Sequence, residues 1–204
     1  MLLENEISIY DFVCSISEGV DSVNPGLDSH HKKVACIAYN IAMEMNLPND
    51  DIQDILLAAM MHDISAFSSE EQIQDQTFVS HDNRLNQYTQ LGYKLLKNFE
   101  PLANAVALIK SYHTGFDELN SDIPIGSYII HLADKSSILF DEHRDTLSQV
   151  PEVFVKISQK QDMFHPDAFA AFGRLIKKAQ KRPWNINIIK DEIVTLGKDF
   201  VLQL

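Results

Sequence analysis

Apolar residues recur every three or four positions along almost the whole chain, and strict apolar–polar alternation never lasts. That is the period of a helix face rather than of a strand, so the pattern predicts an all-α protein. A first helix is predicted over residues 7–20, followed by a breaker at Asn24, Pro25 and Gly26. Asp28 or Ser29 then caps a second helix over 30–45, with Val34, Ile37, Ala38 and Ile41 at helical spacing. Pro48, Asn49 and Asp50 end it, and residues 51–64 carry Ile52, Ile55, Leu56, Ala59 and Met60 on one apolar face.

Residues 65–83 are the least regular stretch and are read as loop with a short helix over 69–76. Helical spacing resumes over 85–98 and 101–113, with Pro101 suited to a first turn. After a loop over 115–124, residues 125–140 form a strongly apolar, central helix. Further helices are predicted over 151–160, 166–178 and 188–201. The expected organisation is one domain: an N-terminal helix within 1–25, a helical bundle over 26–180, and a helical extension over 181–204 able to dock on a partner.

Composition narrows the function classes. A charge of −12 argues against nucleic-acid polymers and anionic membranes, which reward clustered positive charge. It leaves room for a small phosphate ligand, because a local metal ion can reverse the field at one site. Cys14 and Cys36 lie among apolar neighbours and read as buried thiols rather than a disulfide framework. No signal peptide or membrane-length apolar run is present, so a cytoplasmic location is expected.

Among the eight histidines, His62 with Asp63 closes an otherwise apolar helix, and Asp134 follows an apolar run of its own. His30 opens another helix beside apolar residues. Polar groups in such settings require partners, since an unpaired buried charge costs several kcal/mol. Two imidazoles and two carboxylates from three helices suit a mixed N/O site for a divalent ion. The plainer alternative is a buried His–Asp hydrogen-bonded pair with no metal.

The order His30, His62–Asp63, Asp134 resembles the H…HD…D signature of the HD-domain superfamily of metal-dependent phosphohydrolases. The segments HHKKVA (30–35), LAAMMHDI (57–64) and LADK (132–135) are similar to that superfamily's ligand-bearing helices. LGYKLL (91–96) and FHPDAF (164–169) resemble elements of its HD-GYP branch, which hydrolyses cyclic dinucleotides. The resemblance implies an HD-type helical bundle and one divalent ion, either a transition metal (Fe, Mn, Zn, Ni or Co) or Mg, on His30, His62, Asp63 and Asp134.

Departures from the branch are as informative. Tyr88 stands where it places a histidine, and Tyr112–His113 replace a pair of histidines. Ser65 and Ala66 follow His62–Asp63–Ile64 where a Gly–Lys is usual, and Asp117–Pro124 replace the GYP loop. Residues for a second metal are thus mostly lost, while those for one survive. His113 is the candidate general acid and a substrate contact, with Asp117 a weaker second. Lys33 is a candidate phosphate contact, and His81 and His131 are possible extra ligands. His31, His143 and His165 read as structural or exposed.

Two functions follow from different classes. The first is a metal-dependent phosphohydrolase acting on a phosphomonoester, nucleotide or phosphodiester, with Asp63 among its catalytic residues. The second is a degenerate, non-catalytic domain serving as a signalling or interaction module, with a homodimer or a signalling partner.

Overall fold

The computed structural model describes residues 6–23, 29–65, 83–116, 122–141, 143–179 and 201–203. Among these residues the fold is all-α, as the apolar period predicts, with eight helices in succession. They are α1 (Ile9–Val23), α2 (His30–Glu44), α3 (Asn49–Met61), α4 (Asn83–Leu96), α5 (Ala103–Ile109), α6 (Ile125–Ser137), α7 (Thr146–Ser158) and α8 (Pro166–Ala179). Short 3₁₀ turns at Glu100–Leu102 and Gln161–Met163 precede α5 and α8.

A small antiparallel ribbon, β1 (Glu6–Ser8) with β2 (Val201–Gln203), sets Ile7 opposite Leu202. Val201 therefore lies in a strand where the apolar period predicts the end of a helix. Its pairing partner comes from the other end of the sequence, which a local period does not register. The rest of that expected helix, the one over 69–76, and both His81 and Asp117 lie outside the described residues.

Helix α2 is the axis of the bundle and packs against α3, α6 and α8. Val34, Ile37 and Ile41 fill the space between neighbours, while buried Ala35, Ala38 and Ala42 keep the helix slim enough for several to approach. The helix ends in a Schellman cap. Asn46 adopts φ 55° just beyond the last turn, its N–H donates to Met43 O, and Leu47 N–H donates to Ala42 O. Pro48 then prevents continuation and turns the chain into α3.

Helix α6 is buried from Gly126 to Ser137. Its close approach depends on Gly126, where a Cβ would lie 2.9 Å from Ile55 Cγ1 and 2.9 Å from Leu108 Cδ1. Helix α7 starts earlier than Pro151 suggests. The Asp145 carboxylate accepts from Ser148 N–H at 2.8 Å, a side-chain cap that opens the helix at Thr146 and leaves Pro151 inside it. The predicted helix over 101–113 is shorter, ending at Ile109, so that Tyr112 and His113 sit on a turn beyond it.

Candidate metal centre

Three helix ends meet at one spot. His30 is the first residue of α2, His62 immediately follows α3, and Asp134 lies in the last turn of α6. One donor atom from each of these three residues lies within 4.8 Å of the other two. The His30 and His62 Nε2 atoms are 3.3 Å apart, and Asp134 Oδ1 is 3.3 Å from the first and 3.8 Å from the second. All three side chains are buried.

The outer nitrogens of both rings are already committed. His62 Nδ1 donates to Ala59 O at 2.8 Å. Ser137 Oγ donates its single proton to the Asp134 carbonyl at 2.8 Å, so at 3.2 Å it accepts from His30 Nδ1–H. Each ring thus turns an Nε2 lone pair inward, toward the other lone pair and a carboxylate oxygen. Three electron-rich atoms converging in a dry interior require a cation between them. Neighbouring donors around an ion with bonds of about 2.1 Å lie on the order of 3.0–3.4 Å apart, close to the spacings here. The carbonyl and hydroxyl behind the rings are the kind of partner that fixes metal-binding imidazoles. The residues fit a divalent ion.

Electrostatics agree. Burial opposes charge on Asp134, but Lys135, with Nζ 3.6 Å from Oδ2, and both histidines hold its carboxyl well below the usual range. Burial likewise disfavours an imidazolium at His62. The charges of Asp63 and Asp134 and the hydrogen bonds to Asp63 and Ala59 outweigh it and push His62 up to about 9. A proton is therefore the rival cation at this spot.

A family model for the HD domain matches residues 27–139, just over half of the chain and the stretch that carries all of these donors. The chain belongs to the HD-domain family. Neither the curated proteins nor the solved structures provide a match to it. Membership places this HD domain in a superfamily of metal-dependent phosphohydrolases, whose members bind divalent metals.

The fourth residue of the HD-domain signature stands slightly aside. Asp63 Oδ2 is 3.3 Å from His62 Nε2, but Asp63 does not join the three-residue convergence. Its Oδ1 instead accepts from the Tyr112 hydroxyl at 2.5 Å. Burial, then the Asp63 and Asp134 charges, raise Tyr112 well above the ordinary phenol range, so this proton stays in place.

His113 stacks on Tyr112 with ring centroids 4.0 Å apart, and its buried Nδ1 has no hydrogen-bond partner among the described residues. Burial pushes His113 down to about 4 and His131 down to about 3, keeping both rings neutral. His131 is packed beside Phe164 with the Tyr112 backbone as a polar neighbour, and neither of its nitrogens has a hydrogen-bond partner within 3.5 Å among the described residues. It is not one of the converging donors. Lys33 is half-buried one turn along α2, and His81 lies outside the described residues.

Sequence reasoning missed Ser137, which holds His30, and gave little weight to Lys135, which touches Asp134. His31, read as structural or exposed, is structural: it is buried beside the centre with its ring 5.1 Å from that of His62. Its Nδ1 is bonded to Asp21 Oδ1 at 2.5 Å. A second histidine directly after His30 was the one signal available for it. Nothing local marks Asp21, which reaches it from α1.

Proposed function

We propose that this HD domain is a metal-dependent phosphohydrolase acting on a phosphomonoester, nucleotide or phosphodiester. One observation carries the reading: two inward-facing imidazole lone pairs and the Asp134 carboxylate converge within 4.8 Å. A divalent ion bound there would supply Lewis acidity toward a phosphoryl oxygen and lower the pKa of a coordinated water. His30, His62 and Asp134 hold that ion, with Asp63 beside them. Lys135, close to Asp134, and Lys33 are the candidate phosphate contacts. His113 is neutral near pH 7, so its part is to donate an N–H hydrogen bond to the leaving oxygen rather than to act as an imidazolium acid.

The substrate in this reading is small, because the overall charge of −12 works against polymeric nucleic acids. No helix among the described residues is long and apolar enough to cross a membrane, which is compatible with action in the cytoplasm. Likeness to the HD-GYP branch stays part of the proposal, and replacement of its loop by Asp117–Pro124 makes cyclic dinucleotides the less favoured phosphodiesters.

The Tyr112–Asp63 contact favours a second reading, a non-catalytic HD domain used as a signalling module, with a homodimer or a signalling partner. It ties up an oxygen of a signature carboxylate in a hydrogen bond. Elemental analysis of the pure protein with a phosphate-release screen under added Mn²⁺, Fe²⁺ and Mg²⁺ separates the two. Bound metal, with turnover abolished in His62→Ala and Asp63→Ala, supports the enzyme. Metal without turnover on any ester supports the module. Turnover undiminished in both variants overturns the assignment of the centre.

A further inference from the structure

His30 carries its donor nitrogen on the first residue of α2, the part of a helix least held by its own hydrogen bonds. The cap there is weak as well. Ser29 has left-handed backbone at φ 55°, and its side chain makes no cap hydrogen bond to the turn that follows. Two side chains of α1 reach this end of α2 instead. Glu18 Oε1 is 2.7 Å from Lys32 Nζ, and Asp21 Oδ1 is 2.5 Å from His31 Nδ1. Glu18 and Asp21 are three residues apart and so share one face of α1, which is itself anchored by buried Val13 and Val20. The two ties are unequal. The Lys32–Glu18 pair is half-exposed, where screening leaves it little strength. The His31 side chain is fully buried and that of Asp21 is 10% exposed. A carboxylate can only accept, so His31 Nδ1 carries the proton and donates it into a strong, directional bond.

We infer that Asp21 is a positioning residue for the metal centre: through His31 it fixes the rotation of the first turn of α2, and with it the direction in which His30 presents its donor nitrogen. This rests on the reading of His30, His62 and Asp134 as that centre. The His31 ring lies 5.7 Å from the His30 ring and 5.1 Å from the His62 ring, so it is packed against both. Successive helical residues are set about 100° apart around one axis, so any roll of the first turn that moves His31 moves His30 by the same angle. A side-chain atom roughly 5–6 Å from that axis sweeps about 1 Å in a roll of about 10°, several times the tolerance of a metal–ligand distance. His30 is thereby fixed twice, by Ser137 of α6 at its own Nδ1 and by Asp21 of α1 through its neighbour.

The test uses the full chain, stripped of metal and titrated with Co²⁺ in competition with a chromophoric chelator. Asp21→Ala is expected to bind Co²⁺ about tenfold more weakly than the wild type, the lower end of what a lost outer hydrogen bond costs a metal site. Asp21→Asn, whose amide oxygen still accepts from His31 Nδ1–H, is expected to stay within about threefold of the wild type. Val13→Ala loosens α1 without touching the pair, so it should lower the unfolding midpoint and leave Co²⁺ affinity within about threefold. Should Asp21→Ala not fold, His31→Phe keeps a buried ring, removes the polar tie and reads the same loss. Wild-type affinity in folded Asp21→Ala or His31→Phe overturns the inference, as does an equal loss in Asp21→Asn or in Val13→Ala. Wild-type protein that binds no Co²⁺ at all overturns the metal centre itself, a result distinct from any of those.

Discussion

The His30 and His62 rings face each other Nε2 to Nε2 at 3.3 Å, with each outer nitrogen already donating to a different acceptor. Two neutral imidazoles arranged in this way repel unless something positive lies between them. The pair is thus a statement about charge, and it makes the neighbouring acid, Asp134, indispensable.

Replacing Asp134 by Asn keeps the size of the side chain and removes its charge. The loss in divalent-ion affinity should exceed the 10–100-fold that removal of an outer partner typically costs. Competition with a chromophoric chelator measures it. An affinity within threefold of the wild type would mean that the ion, if any, is held elsewhere.

Ser137 offers a finer test. Its hydroxyl fixes the tautomer of His30 from behind, without approaching the ion position. Ser137→Ala should fold normally and bind metal about tenfold more weakly, in the range known for lost outer-shell hydrogen bonds. The same chelator titration applies, and an unchanged constant would leave His30 positioned by packing alone.

Acid should destabilise the fold through groups that are not ligands. His113 and His131 titrate in the folded chain at about 4 and about 3, below the ordinary 6.5. A depressed histidine stabilises the fold fully above 6.5, and that contribution is lost as pH falls from 6.5 toward the folded values, because the unfolded chain takes up protons first. Thermal unfolding of metal-free protein should therefore show a steep decline between pH 6.5 and 4, on the order of a few kcal/mol for the two groups. His131→Leu should flatten that limb, since it removes a buried ring whose protonation burial opposes. Parallel limbs for variant and wild type would exclude His131 as a source.

Gly126 links packing to the site. A methyl group there meets Ile55 and Leu108 side chains at 2.9 Å, which forces α6 outward or bends its neighbours. Gly126→Ala should cost about 1–3 kcal/mol, read as a lowered midpoint in urea. Because α6 also carries Asp134, metal affinity should fall with it. A stability equal to the wild type would show that the two side chains give way freely.

Much of this was legible from residue order. An acid closing an apolar run and a His–Asp pair closing another are conspicuous because burial makes them costly, and the structure brings His30, His62 and Asp134 together. The helix starting at His30 was equally plain from the apolar spacing after it, although the expected cap is not made: Ser29 lies in left-handed backbone at φ 55° and its side chain makes no cap hydrogen bond. What stayed hidden depends on distant partners. Asp21 reaches His31 from another helix, Tyr112 reaches Asp63 across 49 positions, and β2 pairs with β1 from the opposite end of the sequence. The start of α7 was misjudged for a local reason: Pro151 fits a first turn, but the Asp145 cap acts before it.

Lys135 gives the interior an order of events. Asp63 and Asp134 together carry two negative charges, and the Lys135 ammonium with a protonated His62 carries two positive, so the bare group is neutral and offers an anion no net attraction. A doubly charged cation that displaces the His62 proton leaves that sum at one positive. On a chain with 29 acidic residues against 17 basic ones, this small volume is then a rare place where a phosphate is welcome, and only after the cation has arrived.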